Sequence, residues 1–348
     1  MISHKQETSP RKGTTINMNN IRLDAAASLI AEKRSILILT HIHPDGDTLG
    51  SAFGLKWALE GFCRAEIICA DTIPDRLKFI TDGQTDLREE RLGDFSPEMI
   101  MSVDVAELHL MGTYGGNYSG AIDLKLDHHR DGAEYARYNY VDSSAAAAGE
   151  IIYRLIRELE ALGAAKLTPK CATALFAAVS SDTGSFRFTN TNAESMRIAA
   201  SLMEAGADTE DVNRRLYESK SANEIVAQKL TLNGMNVCRG GSVVVFSITN
   251  KMKKENGLAD DDFGGVIDII RAIDGVDLAV TIRQMDDDPE KFRISMRSSG
   301  DIYANRLCAM FEGGGHARAA GGTVYAESPE SAEYTVISKI LSEIGYEA

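Results

Sequence analysis

The chain has 348 residues, 44% hydrophobic and 25% charged, and a formal net charge of −14. This length exceeds what one hydrophobic core usually organises, so two domains are expected. The acidic balance argues against a protein that wraps long nucleic acid, which relies on many Lys and Arg to neutralise phosphates. No apolar run approaches the roughly 20 residues of a membrane-spanning helix. Cys63, Cys69, Cys171, Cys238 and Cys308 are scattered with no C-x-x-C pair. That pattern argues against a disulfide framework and a thiolate zinc site, and fits a reducing cytoplasm.

Met1 to Thr15 are polar and lack the apolar centre of a signal peptide. They are expected to belong to a disordered tail over residues 1–19, and Met18 is a candidate translational start. From Asn20 to Glu32, Ile21, Ala25, Leu29 and Ile30 recur at helical spacing. Ser35–Thr40 is a short apolar run of the kind found in buried parallel strands. His41–Asp47 reads as a loop, and Thr48–Glu60 as a helix stopped at Gly61. Ala65–Ala70 is a second strand, followed by a helical stretch near Asp75–Ile80 and strands at Met99–Val103 and Ala121–Leu126. Helices follow at Ala147–Leu162, Thr168–Val179 and Ala193–Glu204, the last closed by Gly206. This alternation predicts an α/β domain over residues 20–204, with a mostly parallel sheet covered by helices on both faces.

Asp208–Asn233 is polar and helical, and residues 205–233 are expected to link two domains. Beyond it, Ser242–Ile248, Asp277–Arg283 and Lys291–Arg297 read as strands around a helix near Phe263–Ala272. With a closing helix near Pro329–Ile344, residues 234–348 are expected to form a smaller α+β domain.

The chemically capable residues stand where strands end. His41-x-x-x-Asp45-x-Asp47 follows the first strand, Asp104 the third, and Asp127-His128-His129 the fourth; Asp182 follows a helix. Ligands of open α/β sheets bind outside the carboxyl ends of the strands, so these motifs point at one crevice. Carboxylate with some imidazole suits manganese, magnesium or cobalt rather than a thiolate-bound metal. Asp45, Asp47, Asp104 and Asp182 bring four negative charges, which two divalent ions would offset, with neutral His41 and His128 completing the donor set. A single Asp at a strand end is usually a turn or cap residue; it is the combination and order of the motifs that carries the signal. His43 and His109 read as surface or packing residues.

These motifs, followed by Gly313-Gly314-Gly315-His316, resemble the DHH phosphoesterases with their C-terminal DHH-associated domain, and within them the nanoRNase and pAp-phosphatase branch. The resemblance runs from about Asn20 to the C-terminus. It implies that His41 and Asp45 bind one metal, that Asp47, His128 and Asp182 bind the other, and that Asp104 bridges them. His129 and Asp127 become the catalytic pair, with His129 facing the scissile phosphate and Asp127 orienting its neighbours. Gly313, Gly314, Gly315 and His316 become substrate-binding residues, joined by Arg297 in Met-Arg-Ser-Ser-Gly.

The implied activity is two-metal hydrolysis of short oligoribonucleotides to mononucleotides, with removal of the 3′-phosphate from pAp. Mn2+ is the expected metal, with Mg2+ or Co2+ as substitutes. The expected partners are short RNA and small nucleotides, not long duplexes or membranes; a homodimer is compatible with this reading. One alternative is a phosphodiesterase for linear or cyclic dinucleotides. Another, of a different class, is a non-catalytic nucleotide sensor, whose signature would be degenerate metal ligands.

Overall fold

The computed structural model describes residues 19–345. Apart from Asn19, the expected tail over residues 1–19 lies outside the described residues, as does the candidate start Met18. The chain divides into two compact units between Ser219 and Lys220.

In the first unit, β1 (Asn19–Asn20), β2 (Ser35–Leu39), β3 (Arg64–Ile68), β4 (Met99–Val103), β5 (Leu124–Asp127) and β6 (Tyr138–Val141) form one sheet in the order β1-β6-β5-β4-β2-β3. Every strand pair is parallel. The helices are α1 (Leu23–Ala31), α2 (Gly46–Ala58), α3 (Thr113–Asn117), α4 (Ala148–Ala161), α5 (Pro169–Asp182), α6 (Ala193–Glu204) and α7 (Thr209–Asn213). Ile36 and Ile38 of β2 join the core that also holds α1, α2, α4 and α5, whereas Leu37 and Leu39 join a second core with Met111 and Tyr114. Burial on both faces is why β2 reads as an unbroken apolar run. The two covers are unequal: the second consists of a 3-10 turn (Leu108–Met111), the short α3 and loop residues such as Tyr135.

Some element boundaries differ from expectation, for identifiable reasons. The helix expected from Thr48 starts at Gly46, because the Asp45 carboxylate accepts hydrogen bonds from the backbone N–H of Asp47 (2.9 Å) and Thr48 (3.0 Å) as its N-cap. Asp47 therefore lies in the first helical turn, not in a loop. Helix α5 continues past Val179, so Asp182 ends the helix rather than following it. The stretch near Asp75–Ile80 narrows to a 3-10 turn at Asp75–Leu77, and the half-exposed β6 was not expected.

The region expected as a linker contains α7, a π-helical turn (Arg214–Glu218) and α8 (Ala222–Gly234), which opens the second unit. That unit adds β7 (Asn236–Cys238), β8 (Val243–Ile248), β9 (Leu278–Gln284), β10 (Lys291–Ser298), β11 (Gly314–His316) and β12 (Ala319–Tyr325). Their order is β11-β12-β10-β9-β8-β7, with β8 and β9 parallel and the other pairs antiparallel. Its helices continue as α9 (Asn250–Asn256), α10 (Val266–Arg271), α11 (Ala304–Ala309) and α12 (Pro329–Glu343). Val244, Phe246 and Ile270 build one core of this unit, and Val245, Ile294, Leu307 and Val336 the other.

A glycine stripe brings α5 to the site. Gly46, Gly50 and Gly54 recur every fourth residue along one side of α2. A Cβ at Gly50 would lie 2.4 Å from the Ala174 carbonyl oxygen and 2.8 Å from the Ala178 Cβ; one at Gly46 would lie 2.6 Å from Ser181. The absence of side chains lets α5 lie against α2, and so carries Asp182 to the N-terminal end of α2 where Asp45 and Asp47 stand.

Candidate metal centre

The strand order reverses around β2: the chain steps to β3 on one side and to β4 on the other. Loops leaving β2 and β4 diverge there and open a crevice outside their carboxyl ends. His41, Asp45 and Asp47 follow β2, and Asp104 follows β4. Asp127 ends β5 and carries His128 and His129 behind it, while Asp182 arrives on α5.

Among the described residues, three overlapping donor groups result. One is Asp104, His128 and His129, whose His129 Nδ1 is taken up by Asp127 at 2.8 Å; the other two are separate from each other. In the first of these two, His41 Nε2 lies 3.8 Å from Asp45 Oδ1 and 3.6 Å from Asp104 Oδ2. In the second, His128 Nε2 lies 3.8 Å from Asp47 Oδ2, 3.7 Å from Asp182 Oδ2 and 3.4 Å from Asp104 Oδ1. Asp104 thus turns one oxygen to each group. These separations are too long for hydrogen bonds. They are near the spacing of atoms disposed around a common ion, since ligands about 2.0–2.2 Å from a metal stand roughly 3–3.5 Å apart and a small inward shift would close the difference. His41, Asp45 and Asp104 could hold one cation, and Asp47, His128 and Asp182 another.

The surroundings support that fit. Asp104 Oδ1 is buried and has no hydrogen-bond partner, a costly condition for a carboxylate unless a cation meets it. Asp104 also holds φ at 59°, a conformation that costs a non-glycine residue energy and recurs at functional sites. The Nδ1 of His41 lies 2.7 Å from the Ile42 carbonyl oxygen and that of His128 3.3 Å from the Ala145 carbonyl oxygen. A carbonyl only accepts, so each Nδ1 donates, which leaves Nε2 as the nitrogen that a metal would take in place of a proton.

The electrostatics show a site short of positive charge. Burial would lower His41, but Asp104 and Asp45 outweigh it and raise the ring to about 11. His128 likewise rises to about 10 against the cost of burial, through Asp104, Asp47 and Asp182. Burial first, then repulsion from Asp104 and Asp182, pushes Asp47 well above the ordinary carboxylate range. Burial also lifts Asp182 to about 6, with Asp104 and Asp45 adding to it. The cluster draws in protons where divalent ions would serve better.

Asp47 has a structural duty as well. Its carboxylate accepts the backbone N–H of Ala148 (2.7 Å) and Gly149 (2.9 Å) at the start of α4, and the Ser51 hydroxyl (3.1 Å). The sequence alone did not disclose this anchor, since it joins residues about a hundred positions apart. Asp127 is fully buried, and its Oδ1 accepts the backbone N–H of His128 (2.9 Å) and His129 (3.3 Å) and the His129 Nδ1–H (2.8 Å). It therefore supports the turn without reaching a substrate. His129 stays partly exposed with Nε2 unengaged by Asp127. His43 pairs with Asp71 at 3.1 Å and His109 with Glu107 at 3.1 Å, both on the surface.

In the second unit, Gly314–His316 form the exposed edge strand β11 rather than a loose turn. Close approach demands glycine here: a Cβ at Gly313 would lie 2.0 Å from the Gly321 carbonyl oxygen. His316 pairs across Ala319, which pairs across Arg297. Directly opposed residues share a sheet face, so His316 and Arg297 lie on one face, two strands or about 10 Å apart.

Comparison with known proteins agrees with this division. Residues 35–179 match the DHH family, N-terminal domain, and residues 240–343 match the DHHA1 domain. The chain is 28% identical over 325 residues to the bifunctional oligoribonuclease and PAP phosphatase NrnA of Thermus thermophilus, covering 92% of this chain and 93% of that protein. It is 27% identical over 325 residues to the cyclic-di-AMP phosphodiesterase GdpP of Geobacillus thermodenitrificans, covering 89% of this chain and 48% of that longer protein. The structure of an exopolyphosphatase-related protein from Bacteroides fragilis shares the fold, with a TM-score of 0.83 at 24% identity over 92% of this chain and 95% of that one. With a DHH domain followed by a DHHA1 domain, the chain belongs to the DHH family of phosphoesterases.

Proposed function

We propose that this protein is a two-metal phosphoesterase that hydrolyses short oligoribonucleotides to mononucleotides and removes the 3′-phosphate of pAp. The observation that carries the reading is the pair of donor groups sharing Asp104, in a chain similar over nearly its whole length to a bifunctional oligoribonuclease and PAP phosphatase. Two divalent ions, Mn2+ foremost, would be held by His41, Asp45 and Asp104 on one side and by Asp47, His128 and Asp182 on the other. Bound there, they supply Lewis acidity and charge neutralisation for in-line attack on phosphorus.

The protein's own residues do the rest. The Nδ1 hydrogen bonds of His41 and His128 fix both rings for coordination, and the α4 amides hold Asp47 in place. His129 offers Nε2 to a phosphoryl oxygen while Asp127 holds its other nitrogen. His316, Arg297 and the glycines from Gly313 would bind an anionic group of a nucleotide. Scattered free cysteines support a cytoplasmic location.

A second reading, hydrolysis of linear or cyclic dinucleotides, is favoured by the likeness to the cyclic-di-AMP phosphodiesterase. Manganese-supplemented turnover of pAp, a linear diribonucleotide, a cyclic dinucleotide, pyrophosphate and a long RNA, measured side by side, tests both. The first reading expects pAp and the diribonucleotide to lead. Preference for the cyclic dinucleotide would replace it with the second, and preference for long RNA would refute both.

A further inference from the structure

Lys125 lies in the middle of β5 and is wholly buried. An ammonium in such a place needs acceptors and a counter-charge close by, and the surrounding segments supply both. Nζ donates to the Ala106 carbonyl (3.0 Å) and the Ala133 carbonyl (2.9 Å), and lies 2.9 Å from Asp127 Oδ2. The Tyr135 ring lies below it at 4.9 Å, and the Tyr135 hydroxyl donates to the Val105 carbonyl at 2.7 Å.

These partners come from three segments. Ala106 follows Asp104, Asp127 opens the Asp-His-His turn, and Ala133 ends the loop that leaves His129. The Ala133 N–H also bonds the Ala106 carbonyl at 2.9 Å, which closes the frame. The loop is shaped around the ammonium: a Cβ at Gly132 would lie 2.9 Å from Lys125 Nζ and 3.2 Å from Asp127 Oδ2. With Lys125 beside Oδ2, Asp127 turns Oδ1 to the two backbone N–H groups and to the His129 ring.

We propose that Lys125 is a positioning residue for His129, acting through Asp127. The chain Lys125–Asp127–His129 sets the direction of the His129 ring, and so where its Nε2 stands against a phosphoryl oxygen. The turnover part of this inference rests on the proposed phosphoesterase function; the geometric part does not. A buried lysine that served stability alone would leave the ring direction unchanged in any folded variant.

Proton NMR of the whole chain reads the geometry, through the low-field imidazole N–H resonance that disappears in His129→Ala. In Lys125→Met this resonance shifts or is lost. With manganese, kcat on a diribonucleotide falls about 10²-fold, the loss associated with roughly 1 Å of misplacement, while KM and bound metal stay near wild type. Gly132→Ala, which crowds the ammonium and keeps its charge, gives a smaller change in the same direction and decides the matter should Lys125→Met not fold. A folded variant with an unchanged resonance, or with lowered thermal stability but wild-type kcat, overturns the proposal. If wild type hydrolyses none of the substrates, the functional reading fails and the resonance alone judges Lys125.

Discussion

Replacing Gly50 with alanine tests whether the α2 glycine stripe positions the Asp182 carboxylate of α5. The new Cβ would stand 2.4 Å from the Ala174 carbonyl oxygen, where ordinary contact begins at 3.4 Å, so the helices must part by about 1 Å. Overpacking of this kind costs about 1–3 kcal/mol, and removing a helical glycine returns about 1 kcal/mol. The net loss of up to about 2 kcal/mol lowers Tm by at most about 4–8 °C in a unit of this size. Activity should suffer far more. Asp182 ends α5, and a shift near 1 Å in a reacting constellation costs about 10²-fold. Gly54→Ala is the comparison, because its Cβ would crowd the Leu175 side chain, at 2.7 Å, rather than the α5 backbone, whose nearest atom there is the Cys171 carbonyl oxygen at 3.7 Å. Thermal unfolding and kcat/KM on a diribonucleotide would be measured for both. If Gly50→Ala retains wild-type Tm and activity, the stripe does not position Asp182.

Three further outcomes follow from the site. His128→Ala should lose bound metal, whereas His129→Ala should keep it and slow the single-turnover rate; equal metal loss, measured by elemental analysis, would undo that division of roles. In metal-stripped protein, His41 is raised from 6.5 to about 11, so its stabilising contribution is complete below pH 6.5 and is lost as pH rises toward 11. Metal competes with those protons, so the Tm gained on adding Mg2+ should be larger at pH 8.5 than at pH 6; an equal or reversed gain in differential scanning calorimetry contradicts the protonated-cluster picture. Substrates of two to five nucleotides should be cleaved much faster than a structureless twenty-mer, and His316→Ala should damage dinucleotide turnover without changing metal content. Comparable kcat/KM for the dinucleotide and twenty-mer would remove length limitation from the account.

The parts legible in the sequence are those where burial leaves a local pattern. Strands β2 and β4 are apolar because both faces are covered, and the metal-site residues stand out because each lies at or just beyond the end of a strand or helix. Other features depended on tertiary context. Gly46 reads as a loop residue and Gly50 as an ordinary helix position until α5 lies against them. The start of α2 shifted because the Asp45 carboxylate serves as a cap. Strand β6 is half exposed, and its Tyr-Asn-Tyr-Val run carries little periodic signal. Gly313, Gly314 and Gly315 read as substrate-binding residues, although close strand pairing also requires glycine at Gly313. Lys125 reads as an ordinary charged residue, since only the fold brings two carbonyls and Asp127 to its ammonium.

The central claim is a two-metal centre that hydrolyses short nucleotide substrates. The most direct measurement is manganese add-back to stripped protein, with bound metal counted by elemental analysis while pAp and diribonucleotide turnover are followed. The account predicts no turnover in stripped protein, recovery as manganese rises to two ions per chain, and loss of both ions' full occupancy in Asp104→Asn. Full turnover without metal, or full activity with a single ion bound, would contradict it.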